Sequence, residues 1–296
     1  LMKATNCNFS QIYALYMDEK HTTLATIDEQ SKAKADLEFT DETGVTHRLW
    51  IETDEEIIAK LVADFADRKL YIADGHHRYE TALNYRNYCR ENGISKPGDP
   101  QDFQMIYLVD MEHPGLVVFP THRLVRYLPN FDKEAVLEKC SEFFYIDEKE
   151  GTDTMEEDLK KLYDEGKKAF GFYCGKGEWF LLTLKNIDFM SQMLPNVSKA
   201  SQSLDVSVLH TLILEKIFGI DKENMAKQIN LTYTKFFTEA IDGVDKGEFQ
   251  CSFVLNPTRV TEIRDVAAAG EKMPQKSTYF YPKMITGMVM NNLGVD

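Results

Sequence analysis

The sequence predicts a mixed α+β and α/β protein of two domains. Three observations carry this reading. Short apolar runs bounded by turn residues alternate with stretches of helical periodicity along the chain. Its 296 residues exceed an ordinary single domain. The balance of 43% hydrophobic and 28% charged residues is that of a soluble globular protein with a core of its own.

Taken in order, Gln11 to Tyr16 reads as a strand and Thr23 to Lys34 as a helix. Ala35 to Thr40 and Val45 to Ile51 flank Asp41-Glu42-Thr43-Gly44, whose turn-forming residues predict a hairpin. Thr53, with Glu56 three positions later, predicts a capped helix start, and Ile57, Ile58, Leu61, Val62 and Phe65 follow at helical spacing. Leu70 to Ala73 is a short apolar strand, and Gly75 to Glu91 a helix stopped by Asn92-Gly93. Gln104 to Val109 and Leu116 to Phe119 are further strands.

In the second half, Lys133 to Phe144 and Thr154 to Glu165 read as helices, and Ala169 to Cys174 and Trp179 to Leu184 as strands. Leu204 to Phe218 is an amphipathic helix, Cys251 to Leu255 a late strand, and Thr258 to Ala269 a last helix. The break at Tyr127-Leu128-Pro129-Asn130 divides a first domain, 1–128, from a second, 129–296.

Charge and cysteine usage narrow the function classes. Lys and Arg number 34 against 48 Asp and Glu, a net charge of −14, which argues against a protein built to neutralise nucleic-acid phosphates. No apolar run approaches the ~18 residues of a membrane span. The cysteines at 7, 89, 140, 174 and 251 form no CxxC pair, so they read as reduced thiols of a cytoplasmic protein rather than a disulfide or zinc framework. The start at Leu1-Met2-Lys3 shows no leader pattern, and further residues are expected in front of it.

The chemistry is concentrated in Leu70-Tyr71-Ile72-Ala73-Asp74-Gly75-His76-His77-Arg78-Tyr79-Glu80, a strand, a tight Asp-Gly turn and a helix start. Cations at a helix N-terminus oppose the helix dipole by about 0.3–1 kcal/mol each. The arrangement makes sense when an anion fills the site: free backbone N–H groups and Arg78 converge on a phosphate, and Gly75 lets the backbone approach it. Asp74 would cap the helix, orient a histidine or hold Mg²⁺. Successive helical residues diverge by ~100°, so His76 and His77 do not easily share one metal ion, and no tightly bound zinc is expected.

Two other segments are candidates. Thr121-His122-Arg123 ends the strand 116–119 in hydroxyl and cationic donors; if that strand neighbours 70–73 in a sheet, both motifs meet at one edge. Gly270 to Ser277 has the outline of a phosphate-binding P-loop but fails: Gln275 stands at the second glycine, Pro274 sits in the loop, and a helix precedes it. Lys276-Ser277-Thr278 still offers an ammonium and two hydroxyls to a phosphate or carboxylate. His210, among Val208, Leu209, Leu212 and Ile213, reads as a buried, hydrogen-bonded histidine.

The Asp74–Arg78 segment closely resembles the signature of the bacterial and archaeal proteins grouped as domain of unknown function 1015. The resemblance extends to Phe9-Ser10-Gln11-Ile12 with Leu15-Tyr16, Phe119 to Leu124, Asp205 to His210, and Met273 to Thr278 with Phe280-Tyr281-Pro282-Lys283. More distantly, the strand–turn–helix element is similar to that of ParB/sulfiredoxin-like free serine kinases, which implies a ParB-like N-terminal portion followed by a second α/β domain. Carried over, Asp74, His76, His77 and Arg78 would contact phosphates or the transferring phosphoryl group; Gly75, Thr121, His122, Arg123, Lys276, Ser277 and Thr278 are the candidate cofactor-binding residues.

The expectation is a phosphoryl-transfer enzyme, a nucleotide-dependent kinase or a phosphatase, acting on a small metabolite such as serine or phosphoserine. ATP or ADP with Mg²⁺ would be its cofactor. The upstream glutamate base of the serine kinases finds no match in this sequence, and the residues expected ahead of Leu1 are the place left for it. A nucleotide-binding regulator is the alternative, and a ParB-like DNA-binding protein or nuclease a more remote one.

Overall fold

The computed structural model describes residues 1–151 and 154–294. They form two compact units, one of Leu1–Leu116 with the chain from Pro282 onward, the other of Val117–Tyr281. The expected division between 128 and 129 therefore moves. The strand His122–Val125 belongs to the sheet of the second unit. The C-terminal stretch returns to the first, where Asn291–Asn292 pairs antiparallel with Cys7–Asn8 and Gln101 Nε2 donates to the Leu293 carbonyl at 2.7 Å.

The first unit is built on a three-stranded sheet with Ile12–Tyr16 at its centre. All five residues of that strand are buried, as a continuous Ile-Tyr-Ala-Leu-Tyr run requires. Ile106–Asp110 pairs with it in parallel and Tyr71–Asp74 in antiparallel register, Tyr13 lying opposite both Asp74 and Tyr107. The register slips between Tyr13 and Ala14, next to Asp74. The hairpin forms between Leu37–Thr40 and Thr46–Leu49, its turn held by Asp41 Oδ1, which accepts from the N–H groups of Thr43 and Val45 at 2.8 and 3.1 Å. The helix Glu55–Phe65 is capped by Asp54, not Thr53: the Asp54 carboxylate accepts from Glu56 N at 2.8 Å and Ile57 N at 3.2 Å, and an anion suits a helix start better than a hydroxyl.

In the second unit a six-stranded sheet runs in the order 231–234, 122–125, 251–254, 169–173, 178–184, 144–150, every neighbouring pair antiparallel. Side chains alternate between its faces. Phe170, Phe172, Phe180, Leu182 and Phe253 pack on one face with Val208, Leu209 and Leu212, while Tyr173, Trp179, Leu181 and Val254 pack on the other with Met155, Leu159, Ala240 and Val244. Helical segments therefore cover both faces. Phe172 and Phe253 stack at 4.8 Å on neighbouring strands.

The segment expected as one α-helix over 204–218 begins as an α-turn at Asp205–Val208 and continues as a π-helix over Leu209–Ile217. Phe218 N bonds to the Ile213 carbonyl, five residues back, at 3.0 Å. Among the described residues no helix is long and apolar enough to cross a membrane.

Gly171 faces the side of the sheet that packs on Met155: a Cβ there would lie 2.6 Å from Val254 Cγ2 and 2.8 Å from Met155 Sδ. Gly171→Ala should therefore destabilise the second unit by about 1–3 kcal/mol through overpacking. An unchanged urea midpoint would contradict this packing.

Candidate functional site

The site is made by the passage from the strand Tyr71–Asp74 to the helix His76–Glu91. Gly75 takes the turn at φ +89°, a conformation that strains any residue with a Cβ. Its missing side chain has a second use. A Cβ at Gly75 would lie 2.7 Å from both Nε and Nη2 of Arg78, so the guanidinium folds back over the glycine. The helix start has neither a side-chain cap nor an acidic residue in its first turn. An α-helix bonds none of its first backbone N–H groups within itself, and at such an end they suit an anion.

Asp74 is the last residue of the strand, not the cap. Its Oδ2 accepts from Arg78 Nη2 at 3.5 Å and from Lys283 Nζ at 3.2 Å. Burial would raise this carboxyl, but the charge and hydrogen bond of Lys283, the Arg78 guanidinium and the Gly75 N–H together hold it below its ordinary range. Asp74 thus sits between two cations. Arg78 Nε is buried and has no hydrogen-bond partner among the described residues.

These groups line a small cavity of about 50 Å³, together with Ser10, Gln11, Tyr13 and Tyr107. The rings of Tyr13 and Tyr107 stack at 5.2 Å, and burial pushes both phenols up, so they stay neutral donors. His77 lies outside: its side chain is 99% exposed, 3.6 Å from Glu80. His76 is half-buried at the first helical position. Lys283 was not among the residues expected at the site, although the Phe280–Lys283 segment carried part of the family resemblance.

The other candidates lie in the second unit. Val117–Phe119 pairs with Tyr279–Tyr281 and not with the strand Tyr71–Asp74, so the two motifs do not share a sheet edge. Thr121, His122 and Arg123 do not end that strand either; His122 and Arg123 begin a second one, and all three are buried. His122 Nδ1 accepts from Leu255 N at 3.4 Å, and burial with the nearby Arg123 charge lowers its pKa to about 4.

Arg123 has no accessible surface, and so presents nothing to a ligand. Its guanidinium donates to the Thr121 carbonyl, to the Lys276 carbonyl at 3.0 Å and to His210 Nε2 at 2.9 Å. Arg123 and the 276–278 segment do meet, but through the Lys276 backbone. Ser277 is buried, its carbonyl accepting from Thr258 Oγ1 at 2.9 Å. Thr278 precedes the strand 279–281. Among the described residues no group of three or more His, Cys, Asp or Glu is placed to hold a metal ion.

Fold and site together define a mixed α/β protein whose first unit presents a glycine-turned, cation-rich helix start. Residues 1–207 match the family model DUF1015, described as a protein of unknown function, and the chain belongs to that family. The match includes Asp74–Arg78 and Thr121–Arg123 and ends before Lys276–Thr278. Among solved structures, the chain is similar to a conserved hypothetical protein from Pyrococcus furiosus, at 19% identity over 76% of this chain and 75% of that one, with a TM-score of 0.40. It is also similar to a free serine kinase in complex with AMP, at 15% identity over 91% of this chain and 83% of that one, with a TM-score of 0.39. A variant of that kinase in complex with ADP aligns at 14% identity over 90% and 83%, with a TM-score of 0.38. No curated protein matches the chain by sequence.

The buried histidines make stability depend on pH. The folded value of His122 is depressed to about 4 from 6.5, so the unfolded chain takes up a proton first as pH falls. The stabilisation is complete above pH 6.5 and is lost as pH falls towards 4; His210, also lowered by burial and Arg123, acts in the same direction. Asp205, raised by burial to about 6 despite Lys168, acts in the opposite direction. His122→Leu should make the unfolding free energy depend less steeply on pH between 6.5 and 4. Urea titrations across that window with unchanged slope would count against a buried neutral His122.

Proposed function

We propose that the chain is a nucleotide-dependent phosphoryl-transfer enzyme acting on a small hydroxyl-bearing metabolite, with Asp74, Gly75 and Arg78 at the site of transfer. The observation that supports it is the Arg78 guanidinium lying over Gly75 at an uncapped helix start, with Lys283 adding a second cation. A phosphoryl group is the anion that suits a cradle of backbone N–H groups, a planar fork and an ammonium. The cavity of about 50 Å³ takes such a group and not a whole nucleotide, whose remainder would extend beyond it. The orphaned Arg78 Nε is a donor for it.

In this reading Arg78 and Lys283 neutralise the transferring oxygens, which supplies most of what such a transfer needs. Asp74 orients both cations. It is a poor proton acceptor, because the same two cations hold it ionised. His76, at the first helical position, is the group we assign to proton transfer. Asp74 is a single carboxylate already paired with two cations, so the protein's own donors do not fit a bound Mg²⁺, and no step is routed through one. Serine as the acceptor rests on the sequence resemblance alone. The weak basicity of Asp74 also favours a second reading, a nucleotide-binding regulator that binds without turnover.

The test is phosphoserine formation from serine with ATP or ADP, followed by ³¹P NMR. Arg78→Ala should lower kcat/KM by roughly 10²–10³-fold, the range for losing one charge-stabilising donor. Unchanged turnover in Arg78→Ala would refute the assignment; saturable nucleotide binding with no turnover in the parent protein would select the regulator.

A further inference from the structure

The second unit holds a cavity of about 570 Å³. Its walls include Leu194, Val197, Met225 and Pro274, and one side comes from the π-helix through His210, Thr211 and Glu215. At α-helical spacing residues 210 and 215 would stand ~140° apart. The π-winding, with its bonds to the fifth residue, brings them to one wall.

Behind that wall lies an unusual charge. Arg123 is wholly buried, and among the described residues it has no ion-pair partner; carbonyls, the His210 ring and the face of Tyr233, 5.3 Å away, are what surround its guanidinium. An arginine cannot accept a hydrogen bond, so in the 2.9 Å contact His210 Nε2 is the acceptor. The ring is then neutral and carries its proton on Nδ1. That N–H has no acceptor among the described residues, and it is polarised by a cation on the far side of the ring.

The lining itself is balanced, Glu215 and Glu271 against Lys222 and Lys272, which leaves the Arg123 charge over. Glu271 spends both oxygens on the Ser198 N–H, the Ser198 hydroxyl and the Ser201 hydroxyl. Burial and the nearby Asp221 raise the Glu215 carboxyl, and Lys222, which also lines the cavity, works against them.

We propose that this cavity binds a small organic anion with an apolar body, its carboxylate or phosphate head seated on His210 Nδ1–H and its body against the aliphatic wall. Arg123 is a positioning residue: it touches no ligand, but it fixes the tautomer of His210 and supplies the field that favours an anion. The site is built within the second unit and does not depend on the reading of the Asp74–Arg78 site.

The experiment is calorimetric titration of the full chain with phenylacetate, phenyl phosphate and, as the neutral counterpart, phenylacetamide. Saturable binding of either anion, with the amide weaker by about tenfold or more, is the expected result, and the tighter anion names the head group. His210→Leu should abolish the preference for the anion. Because that change also strips Arg123 of an acceptor, Thr211→Phe provides the second variant: it fills the cavity, leaves the Arg123–His210 pair in place and should abolish binding. Arg78→Ala should leave binding unchanged, which separates this site from the one in the first unit. No saturable binding of either anion, equal binding of the amide, or binding that survives Thr211→Phe would overturn the proposal.

Discussion

Arg78 lies with its guanidinium against Gly75, and the candidate site in the first unit follows from that contact. Only a residue without a side chain leaves room for it, since a Cβ would stand 2.7 Å from two guanidinium nitrogens. Only a glycine takes the φ of +89° without strain. The arginine thus sits at the positive end of its own helix, where the dipole opposes it, and Asp74 offsets only part of the cost. A fold selected for stability alone would place an acid in that first turn. The arrangement becomes favourable when an anion joins it.

The second unit handles charge in the opposite way, by burial. Arg123 is surrounded by neutral acceptors, and Lys168 lies 2.9 Å from the buried Asp205 and 3.3 Å from Glu262, which in turn accepts from Tyr163 at 2.8 Å. Buried ions are costly unless paired and hydrogen-bonded. The Lys168 network pairs its charges and reads as architecture. Arg123 does not, which is why the cavity beside its His210 partner draws a ligand-binding interpretation.

The parts legible in the sequence were those where a local rule is strong. Asp74-Gly75 after an apolar run marks a strand–turn–helix, and Asp41 to Gly44 a hairpin; both stand as read. What stayed hidden has identifiable causes. Lys283 is 209 residues from Asp74, and no local pattern ties them. His122 and Arg123 look like polar residues closing a strand at Pro120, whereas they are inside the next strand, where three other segments supply hydrogen-bond partners to part of their polar atoms. The π-helix was invisible because apolar residues at 208, 209, 212, 213 and 214 suit bonding to the fourth or the fifth residue equally.

The central claim, that the bend at Gly75 holds a phosphoryl-bearing guest, is tested most directly by titrating ATP or ADP into the parent protein and Gly75→Ala while following the circular dichroism of both. The account predicts saturable binding in the parent and a loss of about tenfold or more in Gly75→Ala with the secondary structure retained. Equal affinity in the two proteins would contradict it.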